Sequence, residues 1–276
     1  MSARQAWALV RDTVREAGAR WVFWGFYGLS TALILFFLFL LRIDVIEGAR
    51  ATVTLFGETS PRAVPVERLV RGFQGAVAAF LYVAGMGLAI FASAGLMAAM
   101  VEPGRIEWLL SKPLPRTRLL LWRFAGNVLL VCVNVCYLVV GVWLILGSKT
   151  GIWDKSFLVA ALTTTFMFVV LLSVVTLAVV LTGSAVLATM VAFALMVVSP
   201  LLAQHRLMVK LLDSEFWRDV WRFLYYILPK VFEVGKINMD LLRGRPVESW
   251  MPVWSSALFA AVVLTLALFL FARRSY

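Results

Sequence analysis

The sequence predicts an all-α membrane protein of six transmembrane helices, with an N-terminal interfacial helix and extracytoplasmic interfacial or re-entrant helices before the last span. Three observations predict it. Of the 276 residues, 62% are hydrophobic and 15% charged, against roughly half and about a quarter in an ordinary soluble domain. Six runs approach or exceed the about 20 apolar residues a helix needs to cross a hydrocarbon core about 30 Å thick. The polar stretches between them are too short to fold alone, so a single membrane domain accounts for residues 1–276.

Residues 3–20 place Trp7, Val10, Val14, Ala17 and Trp21 at helical spacing, while Arg4, Arg11, Asp12, Arg15 and Glu16 fall largely elsewhere on the wheel. That pattern predicts a helix lying along the membrane surface. Ala49 and Ala51 form a small-x-small site beyond the first apolar run. The run is longer than the apolar region of a signal peptide and its leader is partly acidic, so it reads as an uncleaved anchor.

The predicted spans are 21–41, 73–100, 119–146, 156–181, 185–203 and 251–271, and Arg123 is the one charged residue within them. Residues 156–204 contain no ionisable group. As one helix these 49 residues would be about 74 Å long, so the chain must double back, and Thr182, Gly183 and Ser184 are the place for it. Residues 204–250 carry Leu207, Leu211, Phe216, Trp217, Trp221, Phe223, Leu224, Tyr225 and Tyr226, too apolar for free solvent. Helices in or dipping into the interface are expected there, broken at Pro229 and between Gly244 and Pro246.

The net charge of +11 would raise the question of nucleic acid in a soluble chain. Here basic residues flanking apolar spans meet lipid headgroups, and no nucleic-acid partner is expected. The densest basic cluster, five residues from Arg105 to Arg123, runs from the short connection between the second and third spans into the start of the third. It argues for both termini being cytoplasmic, although the longer opposite connections carry 15 basic residues against 11.

Residues 102–116, EPGRIEWLLSKPLPR, hold the most informative pattern. Pro103 suits the first turn of a helix, Lys112 suits its last, and Pro113 and Pro115 forbid continuation. Ile106, Leu109 and Leu110 form one face. Arg105, Trp108 and Lys112 form another, mixed cationic and aromatic, fitted to docking. Without further information this segment is a connector anchored at the membrane boundary.

The same residues carry a resemblance. Glu102, Gly104, Ile106, Glu107, Leu109, Leu110, Ser111, Pro113 and Arg116 resemble the pattern that ABC-2-type exporter permeases show before the third span. Thr13, Val14, Arg15 and Glu16 look like that family's interfacial entry helix. The resemblance covers the whole chain, and Arg105 departs from it, standing where many members have Thr or Ser. It implies a coupling helix at 102–116, Trp108 and Lys112 included, which passes the motion of an ABC ATP-binding subunit to the spans. It further implies a second permease subunit in a homodimer or heterodimer, ATP and Mg on the partner ATPase with no cofactor on this chain, and a bacterial plasma membrane location.

Other chemistries lack their residues. No phosphate-cradling G-x-x-x-x-G-K-[ST] loop occurs, and Gly147, Ser148, Lys149 and Thr150 read as a connection between spans. His205 is the sole histidine, an interfacial polar residue more than a base or metal ligand, and neither a catalytic site nor a metal site is expected. Cys132 and Cys136 share a helix face unsuited to a disulfide. Asn127, Asn134, Gln74, Thr163, Thr164, Thr165, Ser173 and Thr176 could line a pathway, but interhelical hydrogen bonding is the plainer account, and Gly85, Gly87, Ser93 and Gly95 favour close helix packing. A non-transporting membrane scaffold or assembly factor, binding partners through 204–250, is the alternative function. Spans rich in Phe, Trp, Leu and Met suit amphiphilic cargo better than a small ion.

Overall fold

The computed structural model, which describes residues 3–46, 50–55, 58–59, 64–102, 104, 115–204 and 214–274, turns the apolar runs into six helices long enough to cross a bilayer. Helix α1 (Ala3–Gly18) precedes α2 (Trp21–Leu35), which widens into a π-helical turn, Phe36–Leu40. Helices α3 (Val66–Phe80) and α4 (Met86–Met100) are joined by another π-helical turn, Leu81–Gly85, into one span. Then come α5 (Arg116–Thr150), α6 (Val159–Thr182), α7 (Ala185–Ala203), α8 (Glu215–Ile227), α9 (Val231–Leu242) and α10 (Met251–Arg273).

Helix α6 is the hub. It packs against α4, α5, α7, α9 and α10, burying Phe168, Leu171, Leu172 and Val175 completely. A helix apolar on every side belongs inside a bundle, which explains why this most uniform stretch of the sequence occupies the centre. The reversal after it falls where expected. Gly183 takes φ +71°, a left-handed conformation that glycine adopts without steric cost, and the Ser184 hydroxyl accepts from the Leu187 amide to start α7.

The second span starts earlier than the hydrophobic run suggested, at Val66. Val66 and Val70 bury beside Ile152, while Glu67, Arg68 and Arg71 stay exposed, so the amphipathic first turns extend the helix beyond its purely apolar part. The segment before it was not anticipated. Four strands, β1 (Leu41–Ile46), β2 (Arg50–Leu55), β3 (Glu58–Thr59) and β4 (Val64–Pro65), make a small antiparallel sheet appended to the all-α membrane body. Leu41 pairs with Leu55 and Ile46 with Arg50, while β3 and β4 pair with opposite ends of β2. The β-branched Ile43, Val45, Ile46, Thr52, Val53 and Thr54 give these stretches their strand preference.

Among the described residues of 204–250 two helices precede the last span. Helix α8 ends just ahead of Pro229 and α9 just ahead of Gly244, which has φ +67°. Buried Lys230 links them, its ammonium lying 4.5 Å from the Tyr225 ring centroid and 3.2 Å from Ser255 Oγ. Burial pulls this amine below the ordinary lysine range, and Glu233 partly offsets the shift. His205 lies outside the described residues.

Polar groups in the spans bond differently from expectation. Asn134 does reach across, donating to Ser30 Oγ at 3.0 Å. Ser173 and Thr176, however, donate to the Val170 and Leu172 carbonyls of their own helix. Asn127 donates to the Arg123 carbonyl at 2.9 Å and to Met97 Sδ at 3.5 Å. Gln74 has no hydrogen-bond partner for its buried amide among the described residues. Gly87 and Gly95 do serve close approach, since a Cβ there would stand 3.1 Å from Phe193 and 2.8 Å from Arg20. Cys132 and Cys136 are free thiols.

The residues Gly147, Ser148, Lys149 and Thr150 form the last turn of α5. Lys149 Nζ donates to the Phe37 and Leu38 carbonyls at 2.8 and 2.7 Å, fastening the π-helical turn that follows α2. A Cβ on Gly147 would lie 2.6 Å from the Trp153 ring, which itself stacks edge-on against Trp143 at 4.9 Å. Replacing Gly147 by Leu should therefore lower stability by about 1–3 kcal/mol through overpacking. Gly25→Leu, at a position with nothing within 4 Å, should be nearly neutral. Thermal unfolding of the detergent-solubilised variants measures both.

Candidate functional site

Helix α1 and the end of α10 lie at one end of the bundle, and of the residues singled out in the sequence Thr13, Glu16 and Arg116 are found there. Arg116, the first residue of α5, donates to the Arg274 carbonyl beyond α10, and the Arg274 guanidinium bonds the Val180 carbonyl near the end of α6. The starts of α5 and α7 and the ends of α4, α6 and α10 thus share this end with α1.

Helix α1 is fixed to it by a buried face that takes Val10 and Ala17 from the predicted apolar stripe and adds Thr13. Val10, Thr13 and Ala17 are buried, while Trp7, Val14 and Trp21 are exposed. Val10, Thr13 and Ala17 follow three- and four-residue spacing and Trp7, Val14 and Trp21 seven-residue spacing, so the two stripes run side by side and the wheel alone did not separate the protein-facing one from the outward aromatic one. Ala17 packs with Phe23, Ala92 and Leu96. Thr13 meets α5 at Gly126, where a Cβ would stand 3.0 Å from the threonine Cβ and hydroxyl, so the missing side chain sets the approach of the two helices.

The centre of this contact is electrostatic. Arg123 on α5 has a side chain only 6% exposed. It donates to Asp12 Oδ2 at 3.3 Å and to Glu16 Oε2, both on α1. Glu16 also accepts from Arg20 at 3.2 Å, so two carboxylates and two guanidinium groups form one cluster. A lone cation among apolar spans is costly, and a surface helix with acids four residues apart neutralises it. The two acids are unequal: the Glu16 side chain is 13% exposed and that of Asp12 is 55% exposed.

The sequence-predicted residues divide into three sets. Thr13, Glu16 and Arg116 are built into the contacts between α1, α5 and the last helix. Arg15 is exposed on α1 and Glu102 is exposed just past α4, while Gly104 takes φ +79°. Arg105, Ile106, Glu107, Trp108, Leu109, Leu110, Ser111, Lys112 and Pro113 lie outside the described residues. Sequence reasoning missed Asp12 and Arg123 as partners. The signal was present, because Arg123 was the one charge in the spans and needed carboxylates that only a neighbouring helix could bring.

One continuous helix, α5, runs from this end to the other. Its 35 residues rise about 52 Å, starting at Arg116, the last residue of the 102–116 segment, and ending at the Lys149 clasp. A family model described as ABC-2 family transporter protein matches residues 10–276 of this six-span architecture. The chain belongs to the ABC-2 transporter family. An ABC-2 chain of this kind is the membrane permease of an ABC transporter, and its class works with a separate ABC ATP-binding subunit. No curated protein matches the chain. Among the described residues of this ABC-2 protein, no group of three or more His, Cys, Asp or Glu side chains is arranged to hold a metal.

The asymmetry of the cluster sets an order of effects. Glu16→Gln should destabilise by about 3 kcal/mol, because it leaves a buried guanidinium short of its better partner. Asp12→Asn should cost under about 1 kcal/mol, given its solvent screening. Combining Arg123→Met with Asp12→Asn and Glu16→Gln should recover most of the loss, as read by thermal unfolding. Equal costs for the two single variants would contradict this geometry.

Proposed function

We propose that the chain is the permease half of an ATP-driven exporter in a bacterial plasma membrane, with both termini cytoplasmic. Residues 102–116 are its coupling element. A partner ATPase holds ATP and Mg, and its closure on nucleotide pushes on this element. The observation that carries the reading is the placement of α5: the helix begins at Arg116, the last residue of 102–116, and is clamped to α1 through Arg123. A force delivered at Arg116 is therefore borne by a stiff helix that reaches the opposite end of the bundle, and α1 must follow it.

The role of the chain is mechanical. Two permease subunits, identical or not, enclose the pathway, and ATP binding shifts the population between two packings of the helices. The Asp12, Glu16, Arg20 and Arg123 cluster keeps the surface helix and the coupling end moving as a unit. Export as the direction is supported by the resemblance of 102–116 and of α1 to exporter permeases. The scaffold alternative draws on no structural feature that the permease reading leaves unused.

Changing Arg105, Trp108 and Lys112 together to Ala should weaken capture of the cognate ATPase at least about tenfold, by removing charged and aromatic anchors of the interface. ATP-dependent transport in proteoliposomes holding both subunits should fall with it. Undiminished capture would overturn the coupling assignment. So would labelling of an engineered Leu110→Cys from the cell exterior.

A further inference from the structure

At the end of the bundle opposite α1, two cavities adjoin. One, about 690 Å³, is an apolar groove between the second span, α7 and α9, walled by Tyr82, Val83, Phe193, Val197 and Phe232. The other, about 730 Å³, is lined by Arg68, Arg71, Arg243 and Arg245, with Glu67 the one carboxylate among the described residues of its wall. Ala79, Met239 and Arg243 line both, so the basic chamber opens onto the apolar groove.

Among the described residues the chamber's arginines outnumber the carboxylates that meet them. Arg71 pairs with Asp154 at 3.6 Å. Arg68, Arg243 and Arg245 make no ion pair among the described residues, and all three are exposed. They come from two separate elements, the first turn of α3 and the turn after α9. The groove walls are correspondingly open to the outside of the bundle, Val197 being 71% exposed.

The depth of the arrangement fits one kind of molecule. From Arg71 to Val83 the helix rises about 18 Å, close to the thickness of one leaflet of a core about 30 Å across. Arginine groups at a membrane boundary attract anionic headgroups, and their planar forks suit phosphate oxygens. The apolar groove beneath them suits acyl chains. The π-helical turn Leu81–Gly85 shapes that wall: it presents Tyr82, whose hydroxyl donates to the Val231 carbonyl at 2.6 Å. The ring passes over Gly235, where a Cβ would lie 2.8 Å away. Helix α9, which supplies the chamber's Met239 and leads into Arg243, is thereby tied to the span that supplies the groove.

We propose that this composite cavity binds one anionic phospholipid of the membrane, its phosphate among Arg68, Arg243 and Arg245 and its acyl chains along Ala79, Val83 and Val197. The site does not depend on the coupling assignment of residues 102–116.

The test uses the full-length purified chain, delipidated and offered phosphatidylglycerol or phosphatidylcholine, with bound lipid counted by native mass spectrometry. The wild type should retain phosphatidylglycerol at least about tenfold more strongly than phosphatidylcholine. Arg68→Gln with Arg243→Gln and Arg245→Gln should abolish that preference, since each basic group contributes to anionic-lipid attraction. Ala79→Trp should block retention by filling the shared wall, and Val197→Trp, on the facing helix, does the same job should the first variant fold poorly. Equal retention of both lipids by the wild type would overturn the proposal, as would a preference that survives the triple change. So would a groove variant that alters the oligomeric state and leaves lipid retention intact, because a second copy of the chain would then be the occupant. ATPase capture measured on the same samples separates this outcome from failure of the permease reading.

Discussion

A guanidinium group cannot sit among apolar helices unless carboxylates meet it, and that requirement at Arg123 organises the end of the bundle that carries α1. Asp12 and Glu16 satisfy it from α1, which brings the surface helix down onto α5. Gly126 then lets the helices close until Thr13 touches backbone, and Arg20 completes the cluster from the far side of Glu16. Such a pair contributes little net stability compared with a well-packed apolar contact. Its value lies in direction, because only one rotation and one register of α1 place both acids on the same arginine.

The opposite end is organised by different means. There the connections are anchored through main-chain carbonyls and aromatic edges: Lys149 on the π-helical turn after α2, Trp143 on the Asp154 carbonyl at 2.9 Å, Tyr82 on the Val231 carbonyl. The π-helical turns matter to this pattern. A wider turn interrupts the regular i to i−4 ladder, and at Phe37 and Leu38 the carbonyls it turns outward are met by the Lys149 ammonium. The two ends thus differ in emphasis: a four-member ion cluster between α1 and α5 at one, and at the other side-chain bonds to main-chain carbonyls beside the Arg71–Asp154 pair.

Much of this was legible in the sequence, for physical reasons. Six long apolar runs leave no alternative to crossing a bilayer as helices, because unsatisfied backbone in lipid is prohibitive. The reversal at Gly183 and the breaks at Pro229 and Gly244 follow from the backbone preferences of single residues. The sheet at 41–65 escaped notice because its strands are short and flanked by runs of stronger helical signal, and strand pairing depends on partners that no local pattern names. The side of α1 that meets the bundle was not legible because Val10 and Ala17 share the helical spacing of Trp7 and Val14, and a membrane surface takes apolar side chains as readily as a protein core does. The basic chamber was invisible for a simpler reason: Arg68 and Arg243 are 175 residues apart and meet only once α3 and α9 are packed.

Helix α6 touches five neighbours, yet its hydroxyls at Thr163, Ser173 and Thr176 turn back onto its own carbonyls. Its flanks are therefore held by dispersion and shape, with few directional bolts across the seams. Such a spindle resists tilting, because its volume is tightly enclosed, and opposes sliding only weakly, because small axial steps exchange one greasy contact for another. The most deeply embedded element of this permease is in that sense its bearing.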